Sequence, residues 1–398
     1  MSERLSDWIS GYLDYTANTE PSEIFRKWSA ISVIAGVLQR KCFLKYGRRI
    51  FYPNLYIILV GPSSLARKGT AMGDAKQFLD SPSVHVTFAS DSTSRARLIR
   101  DIKASQQMYI DEAGQMTVHS SVTAFAPELT VFLKYKDLEL LTDLLDWYDT
   151  IKDPWSHKTI SGDAQEIPGV CMNLFGGSTP DLLRSSLPME AIGGGLIARM
   201  LFIYAPTMGE KVLDDSETPY QIILKEQLKE DLTEIASLGG EFFIRDNCKE
   251  KYKEWYLAFN EAEECKDPRF LGYFGRKPAT IYKLLMIFSA SRGNSKVAEI
   301  QDFERALEYL AEMERKMYYA LQGFGKNNLA DTQQKIMLEL ERKEKCDIAE
   351  LMWKFRDDVQ KWEMDDIVQS LIMMGFCKEF ITSNKTFLLV NPERIKML

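Results

Sequence analysis

One stretch constrains this chain more than any other. Asn54-Leu-Tyr-Ile-Ile-Leu-Val60 runs into Gly61-Pro62-Ser63-Ser64-Leu65-Ala66-Arg67-Lys68-Gly69-Thr70. An apolar run that ends in Gly-Pro reads as a strand buried on both faces, as in a parallel sheet. The loop after it is built of small residues, and residues 71–79 then follow with helical spacing. A strand, a small-residue loop and a helix in that order aim backbone N–H groups and the positive end of a helix dipole at one point. That geometry suits a phosphate.

The register of this loop has two readings. Counting G-x-x-x-x-G-K-[ST] strictly from Gly61 puts Ala66 in the second glycine slot and Arg67 in the lysine slot. A loop one residue longer makes Lys68 the phosphate lysine and Thr70 the hydroxyl. We take the longer loop, because it places a Lys and a Thr usefully and leaves Arg67 to face solvent or a neighbour. Gly61, Pro62, Ser63, Ser64, Ala66, Arg67, Lys68, Gly69 and Thr70 are then expected to cradle the phosphates of ATP. Thr70 is expected to reach Mg²⁺.

Further strands are expected at 84–88, 107–111, 169–175 and 200–204, with helices at 71–79 and 94–102 between them. Alternation of this kind predicts a parallel α/β sheet. The strand at 107–111 ends in Asp111-Glu112, the form of a Walker B strand. Asp111 suits the Mg²⁺ shell and Glu112 the polarising of an attacking water. Ser178 and Thr179 follow the 169–175 strand, where they could sense a terminal phosphate. Asn173 reads as a core amide. Gly193-Gly-Gly-Leu-Ile-Ala-Arg199 places a glycine run before an arginine. Such an arginine can reach a nucleotide, in cis or from a neighbour; otherwise it is a strand-edge arginine paired to an acid.

The expected organisation is an N-terminal helical region (1–50), a P-loop NTPase core of RecA-like or AAA+-like type (51–210), a helical subdomain (211–325) and a C-terminal module (331–398). Three helices and a hairpin in that module predict a winged helix. Its third helix is acidic around 357–366, which favours contact with protein over DNA.

In their order these motifs resemble the P-loop ATPases of phages and mobile elements that are grouped as a domain of unknown function. The likeness rests on the 52–63 run with Arg67-Lys68, on Ile110-Asp-Glu112, on Leu144-Leu-Asp-Trp-Tyr-Asp149, on Phe175-Gly-Gly-Ser-Thr-Pro180 and on 193–199; it covers about residues 25 to 210. The resemblance implies a helicase-like or DNA-remodelling ATPase working beside primase and other replication proteins. It carries Lys68 over as the phosphate lysine, Asp111 and Glu112 as the Walker B pair, and Arg199 as the finger. Gly69 stands where many relatives have Ser or Thr, which weakens the case for Mg²⁺ on Thr70.

Composition sets the outer bounds. With 398 residues, 45% of them apolar and 27% charged, the chain can build a real core of two or three domains. Its net charge of −7 excludes bulk attraction to polyanions. Single-stranded DNA must therefore meet a local basic path, for which Arg95, Arg97, Arg100, Lys134, Lys136, Lys152 and Lys158 are the expected residues. Six scattered cysteines without CxxC spacing and three distant histidines argue against zinc and disulfides. The N-terminus lacks the apolar core of a signal peptide, and no apolar run reaches the length of a membrane span. The expectation is a cytoplasmic protein (host cytoplasm if phage-encoded) without membrane contact, working as a homo-oligomer, a ring hexamer, that translocates on DNA. The rival is an ATP-dependent loader or nucleotide-switch adaptor that recruits another replication or recombination protein. A third reading is a degenerate loop with a structural role alone.

Overall fold

The computed structural model describes residues 5–89, 94–110, 114, 116–134, 137–151, 153–158, 164–187, 195–321, 330–356, 358–382 and 385–391. The chain divides into two compact units, Met1–Gln322 and Gly323–Leu398. Among the described residues, no helix is long and apolar enough to cross a membrane.

The first unit opens with α1 (Trp8–Tyr15) and α2 (Glu23–Leu38), a hairpin of β1 (Cys42–Tyr46) and β2 (Arg49–Phe51), and β3 (Tyr56–Val60). Then come α3 (Lys68–Leu79), α4 (Arg95–Ala104), β4 (Gln106–Ile110), β5 (Met116–Ala126), α5 (Leu129–Leu133) and α6 (Leu138–Asp149). A small ladder of β6 (Trp155–Lys158) and β7 (Ala164–Ile167) precedes β8 (Val170–Ser178), α7 (Pro180–Ser186) and β9 (Met200–Tyr204). The unit closes with α8 (Pro219–Ser237), β10 (Gly240–Ile244), α9 (Asp246–Ala258), α10 (Glu261–Glu264), α11 (Leu271–Ser291), β11 (Val297–Ala298) and α12 (Ile300–Glu314).

The main sheet has the order β4-β5-β8-β3-β9. The four strands β5, β8, β3 and β9 are parallel, while β4 runs antiparallel to β5. The sheet is therefore mixed rather than wholly parallel. The reason is local: Ile110 pairs with Met116, and a link of that length cannot make the crossover that a parallel pair needs. Strand β5 was not expected from the sequence. Its buried residues include Ser120, Ser121 and Thr123 as well as Val122 and Ala124, so it lacks the apolar run that marks β3. The expected strand at 84–88 contributes only a bridge from Phe88 to Thr123.

Helix α2 is buried along nearly its whole length and lies close over the sheet. A Cβ on Gly36 would come within 3.3 Å of the Thr123 hydroxyl, and Asn173 donates from Nδ2 to the Ala35 carbonyl at 3.1 Å. A second sheet, β11-β10-β1-β2, pairs Cys42 in parallel with Gly240. The expected all-helical regions before residue 50 and after 211 thus contribute strands, and they share one sheet.

The second unit holds α13 (Ala330–Lys343), β12 (Lys345–Asp347), α14 (Ile348–Lys354), α15 (Lys361–Met373), β13 (Cys377–Thr382) and β14 (Lys385–Val390). The three strands form an antiparallel sheet of order β12-β14-β13. They close over a core that includes Ile336, Leu340, Met364, Leu371 and Leu388.

Candidate functional site

The parallel strands end together along one edge of the main sheet. Val60 lies opposite Ser178 on one side and Tyr204 on the other. In open α/β sheets this carboxyl edge is where ligands bind. The loop from Gly61 to Arg67 leaves β3 here and is braced by its neighbours. The Gly61 N–H donates to the Ser178 carbonyl at 3.3 Å, and the Met208 N–H donates to the Leu65 carbonyl at 2.8 Å. Only glycine fits at 61, because a Cβ would lie 2.4 Å from the Ala205 carbonyl oxygen. Ala66 is buried, whereas Ser63, Ser64 and Leu65 are exposed and Pro62 is half-buried.

Two non-glycine residues of the loop, Ser64 (φ 60°) and Arg67 (φ 53°), are left-handed. Each such residue costs about 1 kcal/mol against its relaxed form. The close packing of Gly61 against Ala205 and the buried Ala66 accompanies this shape.

Arg67 is the N-cap of α3, and no side chain caps the helix. The N–H groups of Lys68, Gly69 and Thr70 precede the first intrahelical donor, Ala71, which bonds to the Arg67 carbonyl at 3.2 Å. The two competing cations part company here. The Lys68 ammonium folds back across the loop to the carbonyls of Gly61 (2.7 Å) and Pro62 (3.1 Å). The Arg67 guanidinium turns outward to Glu20, at 2.5 Å. Gly69 and Thr70 are exposed on the first turn. Ser178 is buried at the end of β8, and its hydroxyl lies 3.4 Å from the Thr179 carbonyl. The Thr179 hydroxyl is engaged as a helix cap, accepting from the Leu182 N–H.

The acid at this edge is one that the sequence reading passed over. Strand β5 delivers Ala126, Pro127 and Glu128 beside the end of β8, and Pro127 packs so closely that a Cβ on Gly177 would lie 2.7 Å from its carbonyl oxygen. Glu128 is exposed. Burial lowers the pKa of the Lys68 ammonium, and the negative charge of Glu128 acts against that shift. Lys68 and the α3 N-terminus therefore stand on the same edge as an acid whose charge reaches the ammonium. The available signal was a strand of small β-branched residues ending in Pro-Glu before the apolar helix residues Leu129, Phe132 and Leu133.

Asp111 and Glu112 lie outside the described residues. The strand leading to them ends at Ile110, which pairs with Met116 at the start of β5. That is the amino edge of the parallel strands, across the sheet from the loop. Of the expected basic path, Lys136 and Lys152 also lie outside the described residues, as do Gly193 and Gly194. Arg95 is bound to Asp143 and Glu139, and Arg97 to Asp101.

Arg199 immediately precedes β9, so it too stands at the amino edge. The five residues of β3, at about 3.3 Å each, put roughly 16 Å between that edge and the loop. Arg199 donates to Asp149 through Nε (3.2 Å) and Nη2 (2.5 Å) and to the Gly195 carbonyl at 2.7 Å. Arg276, which was not among the expected site residues, donates to the same carboxylate at 2.9 Å. Burial pushes the Asp149 pKa up, but the bonds and charges of the two arginines outweigh it and hold the carboxyl below its ordinary value. Of the two readings of Arg199, the pairing to an acid is the one seen in this structure.

No protein-family model and no curated protein matches this chain.

Proposed function

We propose that the chain is a P-loop ATPase with its nucleotide site at the loop 61–70, and that it acts on DNA in phage or mobile-element replication. The observation that carries the first part is the meeting of Lys68, an uncapped helix N-terminus and Glu128 at the carboxyl edge of the sheet. Lys68 is assigned to the β- and γ-phosphates, because its ammonium already spans the loop while Arg67 is turned to Glu20. Glu128 is assigned to orienting the attacking water, in place of Glu112, because β5 brings it to the loop's edge. Mg²⁺ bound with ATP would draw charge from the phosphates. It needs only one or two protein oxygens beside the phosphates, which the Thr70 or Ser178 hydroxyl or the Glu128 carboxylate would supply. The DNA-directed part, and the ring oligomer with Arg199 serving a neighbour's site, rest on the sequence resemblance.

The second reading, a loader or switch adaptor, draws on the C-terminal unit. We assign that unit as a winged helix used for protein contact. Its α15 begins Lys-Trp-Glu-Met-Asp-Asp, and Trp353 and Trp362 are 71% and 61% exposed.

Nucleotide binding separates the two cations of the loop. Lys68→Ala is expected to weaken ATP binding by at least about tenfold and to stop turnover, since a charged partner of the phosphates is lost. Arg67→Ala is expected to bind ATP within about threefold of wild type, because Arg67 faces Glu20. Titration with a fluorescent ATP analogue reads both. Equal binding by wild type and Lys68→Ala would overturn the assignment.

A further inference from the structure

At the amino edge of the sheet, away from the loop, lies a cleft of about 810 Å³. Its walls carry four arginines, Arg40, Arg48, Arg49 and Arg276, against two carboxylates, Asp149 and Asp153, and burial lowers the pKa of a fifth basic group, Lys283, to about 7. Both carboxylates are engaged: Asp153 holds Arg40 at 2.9 Å, and Asp149 holds Arg199 and Arg276. The buried Lys283 ammonium meets neutral oxygens of Asn54 at 2.7 and 2.8 Å and the face of Tyr148. Arg48 and Arg49 are exposed, and neither forms an ion pair among the described residues. The cleft therefore carries an excess of positive charge in a protein whose net charge is −7.

The hairpin that presents Arg48 and Arg49 is built to hold them. Tyr46 pairs with Arg49, which leaves Gly47 and Arg48 as a two-residue turn. Gly47 has φ +60° and Arg48 does not, the pattern of a turn with glycine at its first central position. The rings of Tyr46 and Phe51 both lie 4.8 Å from that of Tyr282, which anchors the hairpin to α11. Phe51 and Tyr52 remain half-buried at the wall of the cleft.

We propose that this cleft is a track for single-stranded nucleic acid. Phosphodiester groups lie along Arg48, Arg49 and Arg276, and a base rests against Phe51 or Tyr52. Cationic grooves with aromatic faces bind single strands in this manner. The cations extend from an exposed tip to a buried floor, a spread that suits successive phosphates better than one small anion. A cleft of this volume, in the range of small-molecule sites, admits unpaired bases and not a duplex. The inference deepens the DNA-directed reading above and rests on it, but not on the nucleotide loop, which lies across the sheet.

The test uses the full chain and fluorescein-labelled oligo(dT) of about 16 nucleotides, with anisotropy read over a salt series without nucleotide. Arg48→Ala/Arg49→Ala alters only exposed side chains of the turn and the first residue of β2. It is expected to lower affinity about tenfold and to make the slope of log K against log salt shallower by about 1.4, two phosphates' worth. Arg97→Ala/Arg100→Ala on α4 tests the competing path expected from the sequence, and the cleft reading requires it to bind like wild type. The proposal is overturned if wild type does not bind oligo(dT) at low salt, or if the Arg48/Arg49 variant binds as wild type does. It is equally overturned if the α4 variant carries the loss, if duplex of the same length binds more tightly, or if equimolar inorganic phosphate displaces the strand. ATP turnover on the same samples separates the two readings. Cleft-dependent strand binding without turnover sinks the ATPase and keeps the track; turnover without strand binding does the reverse.

Discussion

At Arg67 and Lys68, neighbouring cations take opposite directions because one is the left-handed cap and the other is the first residue of the helix. The sequence shows both and cannot rank them; in the fold Glu20, just ahead of α2, holds Arg67 while Lys68 crosses the loop to Gly61. Gly69 is the next residue of interest. It stands directly after the lysine, where a hydroxyl would meet the metal in the strict motif. A Cβ there meets nothing within 4 Å. Gly69→Ser is therefore expected to fold, to gain about 0.5 kcal/mol from helix propensity, and to lower the Mg²⁺ concentration needed for half-maximal ATP turnover. An unchanged or raised Mg²⁺ requirement would place the metal elsewhere on the turn.

At the scale of elements, β3, β8 and β9 were legible because strands buried on both faces must be apolar runs. Strand β5 was not, because small hydroxyl residues pack just as closely where α2 presses on the sheet, and without it Glu128 drew no notice. Helix α3, which carries the loop's lysine, also has a built-in weakness. Asp74 is half-buried, and its buried Oδ2 has no hydrogen-bond partner among the described residues. Burial first, and then the charge of Asp215, raise its pKa to about 6 from 3.8. The folded state thus holds this proton more tightly than the unfolded one, so stability is lost as pH rises from about 4 through 6. Asp74→Asn is expected to raise Tm by a few degrees at pH 7.5, on the order of 1–2 kcal/mol, and to have no effect at pH 3.5. A Tm gain that is the same at both pH values would show that charge burial is not the cause.

At the scale of the whole molecule, the sheet has two distinct edges. The loop at 61–70 occupies one, and the Arg199–Asp149–Arg276 cluster and the cationic cleft occupy the other. Arg199 cannot serve its own loop across roughly 16 Å of strand, so any catalytic use of it falls at a neighbour's site. Arg199→Ala is then expected to keep ATP binding and lose turnover, and mixing it with Glu128→Gln is expected to restore part of the rate. If mixtures never regain activity, Arg199 serves only to hold Asp149. The central claim is that β5, not β4, supplies the acid of an ATPase site, and steady-state ATP turnover with parallel ATP-binding measurements tests it most directly. Glu128→Gln is expected to bind ATP as wild type does and to turn over at least about 100-fold more slowly, with Glu112→Gln close to wild type. Loss of turnover in Glu112→Gln with Glu128→Gln fully active would contradict the account.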